Sequence, residues 1–268
     1  MKKCPLLFLF FSLAAMAQES FPYKRPILML NKTVTVIRIP GSEQFGYYNF
    51  YEDKDCFKTY KEVKVTTPEK ELLGRSFTIT AIDSSANNAR KKYDYTFTLN
   101  GDTETLYYEY RPDIGNGHYA FEVKGGLDLP EGFYCDFVEK SEYDYTAQVP
   151  EIRLRQNYDH GTTKNQTSAT FIFFDKFSLT GVKSITLLLE NNKTIEQVIN
   201  ETYGSPQSKS YKYNFTIMLE DKEIELLKTN KLIGVKLQDK VHTFHSGTGV
   251  RLSGILTCLS SLPLIPKH

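Results

Sequence analysis

The chain is 268 residues long and carries 33 basic and 32 acidic side chains, with 18 Tyr, 18 Phe and no Trp. Charges this evenly balanced do not create the one-signed field that concentrates nucleic acid at a protein surface, so we expect no nucleic-acid partner. Tyr and Phe favour pleated, half-buried surfaces, and their number indicates a chain rich in β-strands.

The first 17 residues have the three parts of a secretory signal peptide. Lys2 and Lys3 form a short positive start, residues 5–15 are almost all apolar, and residues 15–17 offer the small side chains that signal peptidase reads. We therefore expect cleavage after Ala17 and export to the periplasm or the cell exterior. The other interpretation is a buried amphipathic element of a cytosolic fold.

The mature chain is expected to have no transmembrane segment. A helix needs about 20 apolar residues to span a bilayer, and the run at 5–15 is too short. No later segment of the sequence is longer. Cys4 precedes the apolar run and Gln18 would begin the mature chain, so lipid attachment to a cysteine there is not expected.

Residues 18–148 are predicted to form an amino-terminal β-rich domain. Its strand candidates are β-branched or aromatic and are bounded by turn residues; they are 33–39, 45–51, 63–67, 76–82, 92–99, 102–110, 119–123 and 133–138. Residues 67–74 predict one or two helical turns, because proline suits the first helical position and Gly74 suits the exit.

The sharpest local pattern surrounds Asn100-Gly101, the preferred pair for a two-residue type I′ hairpin turn. A two-residue loop there would place Tyr93 opposite Tyr108 on the partner strand. This register also gathers most apolar side chains of both strands on one face, and a shift by one residue would turn them to solvent.

Three cysteines remain after cleavage, namely Cys56, Cys135 and Cys258, and an odd number cannot be fully paired within one chain. If a disulfide forms, we expect it to join Cys56 to Cys135, because both lie in the first half beside aromatic, strand-like sequence. The alternative is that all three are buried thiols.

Residues 149–268 are predicted to form a carboxy-terminal β-rich domain with short helices. The strand candidates are 152–155, 170–174, 184–189, 211–219, 232–237 and 241–244, while 194–199 fits a helix start or a strand equally well. Helical spacing of apolar residues after Asp221 and again at 252–259 predicts two helices. The predicted fold class is mainly β, with β-sandwich-like antiparallel sheets and a few short helices, including this C-terminal helix.

The sequence lacks the motifs of the common enzyme classes, such as Gly-x-Ser-x-Gly, His-Glu-x-x-His and the glycine-rich phosphate loops. No catalytic residue is therefore predicted. His242 and His245 form a close histidine pair, but on a strand their odd spacing sends them to opposite faces, so they would not share a metal ion. We expect neither a metal ion nor a cofactor.

Aromatic clusters supply the candidate ligand-facing side chains, which are Tyr47, Tyr48, Tyr51 and Tyr107. Exposed tyrosines on a sheet can stack on a sugar or anchor a protein partner, although more often they pack under a neighbouring strand or loop. The predicted function is therefore a noncatalytic binding or interaction protein whose partner is a protein or a glycan. The alternative is a hydrolase acting on an extracellular glycan or peptide, through acids that no linear spacing reveals.

Three features carry a family resemblance: the leader that ends at Ala17-Gln18, the segment Leu-Leu-Gly-Arg-Ser-Phe-Thr-Ile at 72–79, and the closing pattern at 228–237. In these features the chain is similar to uncharacterised exported proteins of Gram-negative bacteria built from two β-rich halves. The resemblance covers part of the chain and implies no known activity, so no site residue follows from it.

Overall fold

The computed structural model describes residues 19–39, 41–87, 92–112, 119–149, 151–159, 161, 164–175, 181–206, 211–244 and 247–263. Within these ranges the chain folds into three antiparallel β-sheets with four short helices, so the predicted mainly-β fold class is confirmed. The predicted signal peptide lies outside the described residues.

Six strands build the first sheet. They are β1 (Thr33–Val36), β2 (Phe50–Tyr51), β3 (Ser76–Asn87), β4 (Lys92–Asn100), β5 (Thr105–Tyr110) and β6 (Phe121–Val123). Their spatial order is β2-β5-β4-β3-β1-β6. Side chains alternate between a buried and an outer face, and the buried face carries rings such as Phe50, Phe77 and Phe97. These rings form the core of the first half.

The β4–β5 hairpin turns two residues later than the sequence predicts. Phe97, and not Tyr93, faces Tyr108 on the partner strand, so the predicted pairing is wrong. The register differs from the prediction by an even number of residues. Phe97, Leu99, Leu106 and Tyr108 therefore stay buried, whereas Tyr93 at the far end of β4 is exposed.

Gly101 explains the difference in register. Both central residues of a type I′ turn need a positive φ, but Gly101 is not among the described glycines with positive φ. Its N–H donates to the carbonyl oxygen of Glu104 at 2.9 Å, which closes the turn over residues 102–103. A Cβ at position 101 would lie 3.1 Å from the ring of Phe77. Glycine therefore serves close packing here, and the turn lies elsewhere.

The second half contains a six-stranded sheet and a four-stranded sheet. We call the six-stranded one the second sheet. The six-stranded sheet consists of β7 (Val138–Lys140), β8 (Asp144–Val149), β9 (Ile152–Asp159), β10 (Lys164–Asp175), β13 (Glu201–Pro206) and β14 (Tyr211–Leu219). The four-stranded sheet consists of β11 (Ser184–Leu189), β12 (Thr194–Val198), β15 (Leu232–Leu237) and β16 (Lys240–Thr243). Their orders are β13-β14-β10-β9-β8-β7 and β12-β11-β15-β16.

These two sheets meet face to face in a β-sandwich-like arrangement. The rings of Phe171 and Phe173 on β10 lie 6.2 and 6.4 Å from the ring of Phe244, which follows β16. His242 also packs here, 5.0 Å from Phe173, while His245 lies outside the described residues. Ring centroids 4.5–7 Å apart are typical of packed aromatic pairs. One continuous hydrophobic cluster joins this core to that of the first sheet.

The helices are α1 (Ser42–Phe45), α2 (Glu69–Leu72), α3 (Asp221–Thr229) and α4 (Thr248–Ser261). The three predicted helical segments are thus confirmed, and the ambiguous segment at 194–199 forms β12. A reciprocal capping box of Glu220 and Glu223 begins α3. In α4 the apolar side chains of Leu252, Ile255 and Leu259 are buried, as their helical spacing predicts.

The chain passes from the first sheet to the second between β6 and β7. In this connection Phe133–Phe137 is a 3-10 turn that follows Gly132 at φ 72°, so the strand predicted at 133–138 is wrong up to residue 137. The hairpin of β8 and β9 places Val149 opposite Ile152. The predicted domain boundary between residues 148 and 149 therefore falls inside a strand of the second sheet.

The disulfide joins Cys135 to Cys258, with Cα atoms 5.4 Å apart, which is a usual separation for a disulfide. The predicted bond between Cys56 and Cys135 is wrong. Cys56 is a free thiol above the first sheet, and its Sγ lies 3.8 Å from Oγ1 of Thr96. Nearness in sequence indicated the wrong partner, because α4 packs back onto the 3-10 turn that carries Cys135.

Candidate functional site

The four tyrosines predicted to face a ligand lie in different surroundings. Tyr47 is buried, and its ring lies 5.6 Å from that of Phe50. Its hydroxyl donates to the carbonyl oxygen of Ile37 at 3.1 Å, and burial raises the pKa of Tyr47 to about 12. The prediction for Tyr47 is therefore wrong, because its ring fills the core. The neighbouring Tyr48 is exposed.

Tyr51 and Tyr107 face each other across β2 and β5, half-buried on the outer face of the first sheet. The Tyr51 hydroxyl lies 3.5 Å from a carboxylate oxygen of Glu109. Burial, reinforced by the Glu109 charge, raises the pKa of Tyr51 to about 12. Arg111 in turn donates to Glu109 at 2.7–3.0 Å. The fold thus brings two predicted residues together beside polar groups that are already paired, and ligand contact by them stays a prediction.

A cleft of about 370 Å³ opens where the amino-terminal segment meets the outer face of the second sheet. The residues that line it are Tyr23, Phe137, Glu139, Thr146, Ala147, Gln148 and Arg153. Small-molecule sites generally occupy about 300–1,000 Å³, so the cleft is large enough for a ligand of one or a few rings. None of its residues was predicted as a site residue from the sequence.

Three neighbouring strands supply the polar side of the cleft. Glu139 of β7 faces Thr146 of β8, and Gln148 of β8 faces Arg153 of β9. Thr146 and Gln148 are two residues apart on β8, so both point to the outer face. A guanidinium nitrogen of Arg153 donates to Oε1 of Gln148 over a long 3.5 Å. A carboxylate, a hydroxyl, an amide and a guanidinium therefore share one surface.

Tyr23 and Phe137 form the aromatic wall of the cleft. Their rings stack with centroids 4.0 Å apart and planes inclined by 13°. Tyr23 has a φ of 49°, which is uncommon for a bulky residue, and the hydroxyl of buried Tyr110 donates to its carbonyl oxygen at 2.6 Å. Backbone in such a region persists only where its surroundings hold it, and such residues concentrate at binding sites.

We call residues 19–25 the clasp, because contacts at both ends fix them to the rest of the chain. At the end beside the cleft, Arg25 forms a two-point ion pair with Asp136 of the 3-10 turn, in which Nη2 donates to Oδ1 at 3.1 Å. Lys24 donates to the carbonyl oxygen of Asp136 at 3.2 Å, and its ammonium lies 5.0 Å from the ring centre of Tyr23. These contacts hold the aromatic wall in place.

At its other end the clasp makes a buried ion pair. Arg251 of α4 donates to the two carboxylate oxygens of Glu19 at 2.6 and 2.8 Å, and the two side chains are 5% and 1% exposed. The guanidinium also lies 5.4 Å from the ring centre of Phe21. Cys135 neighbours the first anchor and Cys258 lies on α4, so the disulfide closes a ring of contacts around the clasp.

Sequence reasoning missed the cleft because its residues come from separate segments of the chain. The register between β7, β8 and β9 decides which polar side chains share a face, and β8 was not among the predicted strands. One signal was available. The segment Asp-Tyr-Thr-Ala-Gln-Val at 144–149 has polar side chains at every second position, which is typical of a strand with one solvent face.

Within the described ranges, no three His, Cys, Asp or Glu side chains are grouped closely enough to hold a metal ion. No helix in that part of the chain is both long enough and apolar enough to cross a bilayer. No protein-family model, no curated protein and no solved structure matches the chain.

Proposed function

We propose that the chain is an exported, noncatalytic binding protein that takes a glycan in the cleft between the clasp and strands β7–β9. One observation carries the proposal. The cleft is lined both by the stacked rings of Tyr23 and Phe137 and by hydrogen-bonding side chains from three adjacent strands. Binding sites for small polar ligands generally combine apolar walls with a few such polar groups, which fix the orientation of the ligand.

The polar groups of the cleft match a ligand rich in hydroxyls. The Thr146 hydroxyl and the Gln148 amide can each donate and accept, Arg153 can only donate, and an ionised Glu139 can only accept. Each sugar hydroxyl also donates and accepts, so a sugar can use every one of these groups. An apolar ligand would cover these polar groups without giving them hydrogen-bond partners, and the loss of their hydration would weaken binding.

The anchoring of the clasp also supports a binding role. Stacking and the ion pair of Arg25 with Asp136 fix the aromatic wall before any ligand arrives. A wall that is already ordered loses little conformational freedom on binding, so more of the contact energy remains as affinity.

A glycan hydrolase would need two carboxylates about 5 to 10 Å apart on either side of the bond that is cleaved. Among the described residues that line the cleft, Glu139 alone is a carboxylate. This observation favours binding over hydrolysis as the proposed function of the cleft.

Export is supported by the disulfide between Cys135 and Cys258, since disulfides form and persist in oxidising compartments. The leader-like sequence at 1–17 points the same way. We expect amino-terminal sequencing of the protein recovered from the periplasm or the medium to begin at Gln18. Recovery of the uncleaved chain from the cytosol would count against export.

Glycan-array screening of the mature protein, followed by titration calorimetry on the glycans found, tests the binding function. We expect Gln148→Leu to weaken binding by about tenfold or more, because the variant leaves ligand hydroxyls unpaired. Gln44→Leu is the matched control, since Gln44 is an exposed glutamine on α1 in the first half, and it should bind like the wild type. The proposal fails if no glycan binds, or if Gln148→Leu binds as tightly as the control.

A further inference from the structure

The charged side chains around the cleft are mostly neutralised by neighbours. Arg155, two residues after Arg153 on β9, donates to Asp144 at 2.7 Å. On the clasp, Arg25 is paired with Asp136, and the Lys24 ammonium is engaged by a carbonyl oxygen and an aromatic ring. Arg155 and Arg25 therefore need no charge from a ligand, and Lys24 is not among the residues that line the cleft.

Arg153 differs from these neighbours. Among the described residues no carboxylate pairs with its guanidinium, and its one side-chain contact is the long 3.5 Å hydrogen bond to Gln148. Arg153 is nevertheless one of the residues that line the cleft. It therefore presents an uncompensated positive charge and a planar set of N–H donors where a ligand would sit.

We infer that the glycan bound in the cleft is an acidic one, whose carboxylate pairs with Arg153. This inference rests on the proposed function and names the class of sugar that the site takes. A guanidinium and a carboxylate match in shape, so they can form two parallel hydrogen bonds. Gln148 faces Arg153 across β8 and β9, which keeps a neutral donor and acceptor beside that pair.

The position of Glu139 sets a limit on the charge of the ligand. It lies on β7, separated from Arg153 on β9 by the whole width of β8. At this distance the Glu139 carboxylate can accept hydrogen bonds from sugar hydroxyls, while Arg153 binds the carboxylate of the ligand at the other side of the cleft. The Glu139 carboxylate repels a ligand with several negative charges. A singly charged uronic acid therefore suits the cleft better than a phosphate or a densely sulfated sugar.

The experiment compares a trisaccharide that carries one galacturonic acid residue with the methyl ester of that residue, which has nearly the same shape and no charge. Titration calorimetry on the mature wild-type protein should show the acid binding about tenfold or more tightly than the ester. A trisaccharide of uncharged sugars that carries one sulfate ester in place of the carboxylate serves as a third probe and should bind more weakly than the acid. Raising the salt concentration should reduce the difference between acid and ester.

Arg153→Gln should remove the preference for the acid, so that acid and ester bind to this variant with similar affinity. Arg155→Gln is the matched control, because it makes the same charge change on the same strand and face but lies outside the cleft lining. It should retain the preference. Both arginines are exposed, so the unfolding midpoints of the two variants should stay close to that of the wild type.

Different outcomes of these experiments distinguish a wrong inference about ligand charge from a wrong proposed function. If acid and ester bind equally while Gln148→Leu weakens both, the cleft binds glycans and the inference about charge is wrong. If the sulfated probe binds more tightly than the acid, the choice of a carboxylate is wrong. If Arg153→Gln and Arg155→Gln lower acid binding equally, the charge acts from the sheet as a whole and the assignment to Arg153 is wrong. If no glycan binds, the proposed function fails as well.

Discussion

Glu19 and Arg251, 232 residues apart in sequence, meet through two hydrogen bonds in the interior of the protein. The backbone N–H groups of Ser20 and Phe21 also donate to Glu19, at 3.0 and 2.9 Å. The carboxylate is thus well satisfied, although it has lost its hydration. A buried pair of this kind adds little net stability compared with an apolar pair, but removal of one partner leaves an unpaired charge in the interior.

We therefore expect Arg251→Met to lower the free energy of unfolding by about 3–5 kcal/mol. Urea denaturation of the mature protein measures the change. Restoring neutrality with Glu19→Gln in the same chain should recover part of the loss. The control is Lys222→Met, since Lys222 pairs with Glu220 in solvent, and it should leave the unfolding curve unchanged. Equal curves for wild type and Arg251→Met would contradict a buried pair.

The disulfide predicts both a thiol count and a stability change. Unfolded, unreduced mature protein should react with one equivalent of thiol reagent, at Cys56. Replacing Cys135 and Cys258 together by serine should cost about 5 kcal/mol by the chain-entropy account, because the bond closes a separation of 123 residues. Cys56→Ser should unfold like the wild type. Three reactive thiols, or a disulfide-linked peptide containing Cys56, would show that the pairing is different.

Gly254 on α4 packs directly beneath Tyr134. A Cβ at this position would lie 2.0–2.5 Å from carbon atoms of the ring, closer than real contacts allow. We expect Gly254→Ala to destabilise the protein by about 1–3 kcal/mol, although alanine favours the helical backbone. Thr257→Ala, an exposed substitution on the same helix, should have a small effect in thermal unfolding. A Gly254→Ala variant as stable as the wild type would mean that the ring does not lie on the helix.

Val65 sits in a strained part of the turn that joins Val63 to Thr66. Lys64 and Val65 have φ values of 53° and 67°, a conformation that a β-branched side chain rarely adopts. Val65→Gly should therefore stabilise the protein by about 1 kcal/mol. Val63→Gly is the control, since Val63 is exposed without a positive φ, and it should give no gain. Chemical denaturation measures the stability of both variants. A loss of stability in Val65→Gly would contradict a strained backbone at Val65.

The Cys56 thiol gives a prediction about pH. Burial raises its pKa from 9.0 to about 11, so the folded protein keeps this proton to higher pH than the unfolded chain. The protonated thiol therefore favours the folded state fully below about pH 9, and this contribution is lost as the pH rises towards 11. At about pH 9, alkylation by iodoacetamide should be on the order of tenfold slower or more in the folded protein than in urea. Similar rates in both would contradict a covered thiol.

The spacing of apolar residues predicted strands and helices well where a single periodicity dominates the segment. Strands 211–219 and 232–237 have the observed bounds, and the helices at α3 and α4 follow the spacing of their apolar residues. The alternation of apolar and polar residues predicted which face of the β4–β5 hairpin is buried near the turn, even though the turn itself was misplaced. Period-two patterning is insensitive to an even shift, so it cannot distinguish registers that differ by two or four residues.

Contacts between distant segments were not predictable in the same way. The disulfide partner of Cys135 depends on how α4 packs, and no local pattern encodes that packing. The cleft depends on the register of β7, β8 and β9 and on the path of the clasp. Tyr47 shows the same limit, because the sequence marks an aromatic residue but does not determine whether its ring points into the core.

The ring of contacts around the clasp has a consequence for how the molecule is made. Glu19 can pair with Arg251 only after α4 has been synthesised. Tyr23 stacks on Phe137 of the 3-10 turn, and the disulfide joins that turn to the same helix. In a chain that emerges amino-terminus first, Glu19 therefore stays without its partner until nearly all of the chain has been delivered. We expect such late, long-range closure to slow folding, because contacts between distant segments form only after the chain between them has been ordered.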